Sequence, residues 1–113
     1  MERTTKFFLL ATRMLAEFGC QIIKTYYCED FEKVVAACPV PLVVAGGKKL
    51  PEKEALTLVY KAISKGAAGV DMGRNIFQAE NPKAMARCVG KIVHENYSDA
   101  EAYNLYLELK DKI

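Results

Sequence analysis

Pro41-Leu42-Val43-Val44-Ala45-Gly46-Gly47-Lys48-Lys49-Leu50-Pro51 is the stretch that decides the fold. Leu42–Ala45 is a short, unbroken apolar run, the pattern of a parallel strand covered on both faces. Pro39 and Pro41 sit at the entry to that strand, where a missing N–H is tolerated. Gly46-Gly47 ends the run in a glycine-rich loop, and Pro51 brings the preset φ of a first helical turn. The helix that follows reaches about Lys65. Its apolar stripe is Ala55, Leu58, Val59, Ala62 and Ile63, and Gly66 stops it.

The same strand–loop–helix unit recurs on either side. Upstream, residues 21–27 (Gln-Ile-Ile-Lys-Thr-Tyr-Tyr) are β-branched and aromatic and read as a strand. A helix over 29–37 follows, with Phe31, Val34 and Val35 as its stripe behind an acidic first turn. Before them, residues 4–18 carry Phe8, Leu9, Thr12, Leu15 and Ala16 at helical spacing, with Gly19 in the left-handed cap position. Downstream, a third short strand over 69–72 ends in Gly73-Arg74-Asn75. Asn81-Pro82 then opens a helix with Met85, Cys88, Val89, Ile92 and Val93 inward. Ser98-x-x-Glu101 is a capping box for a last helix through Leu109. The order α-βα-βα-βα-α specifies a parallel α/β sheet with right-handed crossovers. Its spacing suits consecutive units of a (β/α)8 barrel or part of an open doubly wound sheet, and in both the site lies at the carboxyl ends of the strands.

Composition excludes several classes. The chain has 113 residues, 51% hydrophobic and 27% charged, which excludes a disordered or low-complexity segment. Sixteen Lys and Arg against fourteen Asp and Glu leave a net charge of +2, too little for a nucleic-acid footprint. The longest mostly apolar stretches, 7–11 and 34–45, fall short of a membrane span. Arg13 and Glu17 interrupt the amino-terminal apolar run, so the start reads as an amphipathic helix rather than a signal peptide. Four cysteines without a C-x-x-C pair, beside the single His94, argue against a zinc site or a disulfide framework and for reduced cytosolic thiols.

Lys24 is the most informative residue. It lies mid-strand, sharing a face with Ile22 and Tyr26 under strand alternation. On a covered strand, desolvation penalises an ammonium and favours the neutral, nucleophilic amine that a Schiff base with a ketone requires. A lysine snorkelling from an edge strand fits the composition equally well. Gly46-Gly47 and Gly73-Arg74 follow neighbouring strands and offer backbone N–H groups and one guanidinium to an anion, the pattern of a phosphate site. Asp71 either faces that site or pairs with a lysine. Lys48 and Lys49 either assist an anionic substrate or, the commoner case, form a solvated loop pair; His94 lies far from any strand end, and Tyr97, Tyr103 and Tyr106 read as packing or a subunit contact.

At Ile22-Ile23-Lys24-Thr25-Tyr26-Tyr27, at Ala45-Gly46-Gly47-Lys48-Lys49-Leu50-Pro51 and at Gly69-Val70-Asp71-Met72-Gly73-Arg74-Asn75-Ile76-Phe77, the chain resembles the archaeal-type class I aldolase family. The resemblance covers essentially the whole chain and is closest to the family's thiolase branch, which processes autoinducer-2. It implies a partial (β/α)8 TIM barrel: helix five, strands six to eight with their helices, and a terminal helix. Residues 1–113 would then be the carboxyl-terminal part of one barrel domain. It implies Lys24 as the Schiff-base lysine, Gly46 and Gly47 as the strand-seven phosphate loop, and Gly73 with Arg74 as the strand-eight phosphate loop. The reaction implied is acetyl transfer from 3-hydroxy-5-phosphonooxypentane-2,4-dione to coenzyme A, giving acetyl-CoA and dihydroxyacetone phosphate. Coenzyme A enters as co-substrate, and no metal or bound cofactor is needed. Fructose-bisphosphate aldolases of the family perform retro-aldol cleavage and tend to carry another residue at the position of Lys48, which favours the thiolase branch.

The family's acid–base groups, including an Asp-His pair, lie on the first strands of the barrel, which this chain lacks. Three strands also leave two open edges and a bare inner face. The expectation is a truncated product or the second half of a split gene, cytoplasmic and inactive alone. It would pair with the missing barrel half or with copies of itself as a homo-oligomer. A non-catalytic fragment acting only by association is the rival reading. A flavodoxin-like response domain is disfavoured by the lack of an acidic cluster after the first strand.

Overall fold

Alternation along the first strand sets the architecture. In β1 (Ile23–Tyr26), Ile23 and Thr25 are buried on one face, while Lys24 and Tyr26 stand on the other. The computed structural model describes residues 4–113, so the reading of residues 1–3 lies outside it. β1 pairs in parallel with β2 (Leu42–Ala45), and β2 with β3 (Gly69–Asp71), in the order β1-β2-β3. The register sets Lys24 beside Val43 and Tyr26 beside Ala45. It also sets Val43 beside Gly69 and Ala45 beside Asp71. Partnered residues of a parallel ladder share a face. Lys24, Tyr26, Val43, Ala45, Gly69 and Asp71 therefore occupy one side, and Ile23, Thr25, Leu42, Val44 and Val70 the other.

Among the described residues six helices pack around the second side and beyond it: α1 (Thr5–Glu17), α2 (Phe31–Ala37), α3 (Glu52–Ser64), α4 (Arg74–Phe77), α5 (Pro82–Glu95) and α6 (Asp99–Leu109). Two apolar cores result. Phe8, Phe31, Val34, Leu42 and Val44 join α1 and α2 to the sheet. Leu56, Val59, Met85, Ile92 and Tyr106 join α3, α5 and α6. Tyr106 is 2% exposed, and its hydroxyl oxygen accepts from the Asn81 N–H at 3.2 Å. Burial pushes the thiols of Cys28 and Cys88 above their ordinary range. None of the described helices is long and apolar enough to cross a membrane.

Caps fall where side chains can supply them. Asn81 caps α5 by accepting from the Ala84 N–H at 3.1 Å, with Pro82 in the first turn. Ser98 and Glu101 form both halves of a capping box on α6. Gly19 and Gly66 take positive φ just past α1 and α3.

Several expectations change. Leu42–Ala45 is a strand over the expected residues, yet it is covered on one face only, because the described residues supply no layer above Val43 and Ala45. β1 is shorter than 21–27, since β2 offers only four ladder partners. Leu56 is fully buried on α3 whereas Leu58 and Ile63 are half-buried, because α5 and α6 claim a face that a sheet-only stripe does not anticipate. Leu15 is exposed, as α1 packs mainly on α2 and β1 through its other face. Gly73-Arg74-Asn75, read as loop, opens α4, whose single turn is too short for periodicity to reveal. Ser98→Ala removes one half of the capping box and is expected to cost about 1 kcal/mol, read as a lower urea midpoint at unchanged slope.

Candidate active site

Because all three strands run the same way, their carboxyl ends lie together. Lys24 from β1, Gly46 and Gly47 after β2, and Asp71, Gly73 and Arg74 from β3 and its loop line one open cleft of about 260 Å³. Every site residue named from the sequence is there. The Lys24 Nζ lies 3.4 Å from the Asp71 Oδ2, across the central strand and above the small side chain of Ala45. Their side chains are 57% and 61% exposed, so the burial expected of a lysine on a covered strand is absent. The reason is the bare sheet face. An exposed pair of this kind contributes about 0–1 kcal/mol to stability.

The loop after β2 is built from its neighbours. Gly47 has φ +70°, a conformation that favours glycine, with open space where a side chain would sit. Gly46 is confined differently: an added Cβ would lie 3.0 Å from both the Asn75 side-chain nitrogen and the Met72 Cγ. Gly73 has an ordinary φ of −100° and room for a methyl group, so local packing does not require its glycine.

Asn75 is the residue sequence reasoning missed. It is 1% exposed. Its Nδ2 donates to the Gly46 carbonyl at 3.2 Å and the Lys48 carbonyl at 3.4 Å, while its Oδ1 accepts from the Leu50 N–H at 2.7 Å. The Arg74 Nη2 donates to the Gly47 carbonyl at 3.0 Å. Three successive carbonyls of the β2 loop are thus turned towards the β3 loop. Across trans peptides, the N–H groups of Gly47, Lys48 and Lys49 point the opposite way from those carbonyls. The only sequence signal was position: a polar residue directly after Gly73-Arg74, in a stretch too short to show a buried face.

Other candidates separate from the cleft. Lys49 turns back to the Leu50 carbonyl and the Glu52 carboxylate, 3.2 Å away, while Lys48 stays exposed. Burial would raise the Glu52 carboxyl, but its own backbone N–H, Lys49 and the Glu80 N–H hold it below the usual range. α3 begins only at Glu52 and carries Glu52 and Glu54 in its first turn. His94 lies exposed on α5, outside the cleft.

A family model described as DeoC/LacD family aldolase matches residues 4–79, which hold all three strands and the whole cleft. The chain belongs to the DeoC/LacD aldolase family. It is 59% identical, over 97% of its length, to a 3-hydroxy-5-phosphonooxypentane-2,4-dione thiolase of Photorhabdus laumondii. The same identity and coverage relate it to the thiolase of that name in Escherichia coli K12. The chain spans 38% of the length of these relatives. Among solved structures it is similar to an archaeal fructose 1,6-bisphosphate aldolase, with a TM-score of 0.75 at 29% identity over 80% of this chain and 38% of that one. A Schiff-base-forming fructose-1,6-bisphosphate aldolase matches with a TM-score of 0.74 at 29% identity, over 79% of this chain and 38% of that one.

Asn75→Ala leaves the Gly46 and Lys48 carbonyls and the Leu50 N–H without their partner. The expected loss is about 1–3 kcal/mol in urea unfolding, with faster hydrogen exchange at Leu50 than at the helix cores.

Proposed function

We propose that this chain is the lysine-bearing, phosphate-binding part of a (β/α)8 barrel, its three strands being strands six to eight and residues 1–113 the carboxyl-terminal part of that one domain. Lys24 forms a Schiff base with a phosphorylated ketone. The N–H groups of Gly46, Gly47 and Gly73, the open space at Gly47 and the guanidinium of Arg74 hold the phosphate. One observation carries this reading: a lysine and two loops suited to an anion meet in a single cleft at the carboxyl ends of parallel strands. Support comes from the 59% identity to thiolases and from the Schiff-base-forming aldolase among the structural neighbours.

The reaction proposed is transfer of acetyl from 3-hydroxy-5-phosphonooxypentane-2,4-dione to coenzyme A, which places the protein in autoinducer-2 breakdown. With the iminium on the ketone carbon nearer the phosphate, coenzyme A thiolate adds to the other carbonyl. The thiolate adduct collapses to acetyl-CoA as the bond from its carbon to the hydroxyl-bearing carbon breaks, and that electron pair moves into the iminium to give an enamine at the hydroxyl-bearing carbon. Protonation of that carbon and hydrolysis release dihydroxyacetone phosphate. The iminium is the electron sink, so the sequence of steps calls for no metal and no resident cofactor. Retro-aldol cleavage of a sugar phosphate by the same iminium is the second reading, favoured by the fructose-bisphosphate aldolases among the solved neighbours.

The bare sheet face implies a covering layer, either a barrel half of the kind that makes up the rest of the relatives' length or a second copy of the chain. The setting is the cytoplasm. Turnover is expected only with that layer in place, since proton transfers at the carbonyl need positioned groups. Imine formation is expected from the groups of this cleft without that layer. Borohydride reduction of the chain with dihydroxyacetone phosphate is expected to leave a mass adduct on Lys24, absent in Lys24→Ala. Arg74→Ala, and dihydroxyacetone without its phosphate, should each slow the labelling at least tenfold. No adduct, or equal labelling of other lysines, overturns the reading.

A further inference from the structure

Lys24 and Asp71 are the acid and base of a sheet face otherwise made of Tyr26, Val43, Ala45 and Gly69. Asp71 supplies the carboxylate in a cleft whose other ionisable side chains are Lys24, Tyr26 and Arg74. The pair is more than half exposed, so its contribution to stability is small and does not explain its placement. Its geometry does more. Asp71 starts one strand beyond Val43 and Ala45, and Lys24 reaches diagonally towards the strand ends to meet it. That contact places the amino nitrogen in the cleft that Gly46, Gly47 and Gly73 also line.

We infer that Asp71 is a catalytic residue, the proton carrier for imine formation on Lys24. This rests on the Schiff-base role proposed above. The Asp71 carboxylate takes one proton from the Lys24 ammonium, leaving the amine whose lone pair forms the bond to the ketone carbon. As that bond forms, the carbonyl π electrons move to oxygen. Transfer of a second nitrogen proton to this oxygen gives the carbinolamine. The Asp71 carboxylic acid then returns its proton to the carbinolamine hydroxyl, which leaves as water while the nitrogen lone pair closes the carbon–nitrogen double bond. An ammonium and a ketone have become an iminium and water, and Asp71 is again a carboxylate. At 3.4 Å from the nitrogen, the regenerated carboxylate lies beside the iminium charge. Hydrolysis runs the same steps in reverse, so one residue serves both entry of the ketone and release of the product. The separation is longer than a tight charge-assisted hydrogen bond, so the amine can swing to the carbonyl without breaking a strong contact.

The test measures the rate at which borohydride captures the dihydroxyacetone phosphate adduct on Lys24 in the 113-residue chain, with folding followed by circular dichroism. Asp71→Asn keeps the shape and removes the proton acceptor. It is expected to slow capture about 100-fold while keeping the circular dichroism spectrum of the parent chain. Asp71→Ala should be equally slow and should regain speed on addition of acetate, which fits the vacated space and carries the proton. Capture by Asp71→Asn within twofold of the parent chain overturns the inference, as does a slow Asp71→Ala that acetate leaves unmoved. If the parent chain forms no adduct, the Schiff-base reading of Lys24 fails first and the role of Asp71 falls with it. Normal capture in the parent chain combined with an indifferent Asp71 leaves the Schiff-base reading standing.

Discussion

Parallel pairing through β2 is the constraint on which the rest depends. β2 supplies ladder partners to both neighbours, with Val43 and Ala45 each meeting a residue on β1 and on β3. Parallel strands cannot be joined by tight hairpins, so each connection crosses back through a helix, and every strand leaves the sheet at the same end. For that reason Lys24, the Gly-Gly loop and the Gly-Arg loop, separated by long helical excursions in sequence, arrive around one opening. The same register brings Asp71 level with Ala45 and within reach of the Lys24 side chain.

Above that ladder, the cleft is shaped by hydrogen bonds between loops rather than by helix dipoles. Asn75 and Arg74 draw three consecutive carbonyls of the β2 loop towards the β3 loop, and trans peptide geometry then fixes the sense of the intervening N–H groups. This arrangement explains two glycines by different means. Gly47 needs its left-handed backbone, whereas Gly46 needs the space that Asn75 and Met72 occupy. Gly73 is required by neither argument.

Much of the architecture was legible along the chain. β2, the caps at Asn81 and Ser98, and the helix stops at Gly19 and Gly66 each depend on a handful of adjacent residues whose backbone preferences are local. Leu56, Leu15 and Asn75 were misread or missed for one shared reason: their surroundings come from elements far away in sequence. Leu56 is buried because α5 and α6 close over it, Leu15 is exposed because none of the described elements covers it, and Asn75 is buried because a loop 25 residues earlier lies against it.

The sequence by itself determined the α-βα-βα-βα-α order, the parallel sense of the sheet and the identity of the residues at each strand end. Those follow from local periodicity, from glycine and proline placement, and from the length of chain between strands. Only the tertiary structure decided that Lys24 and Asp71 form a pair, that Asn75 and Arg74 brace the β2 loop, and that the bare face leaves Lys24 more than half exposed. Pairing across a sheet is set by register and side-chain reach, and coverage of a face by which layers are present. Neither is encoded in any short window of residues.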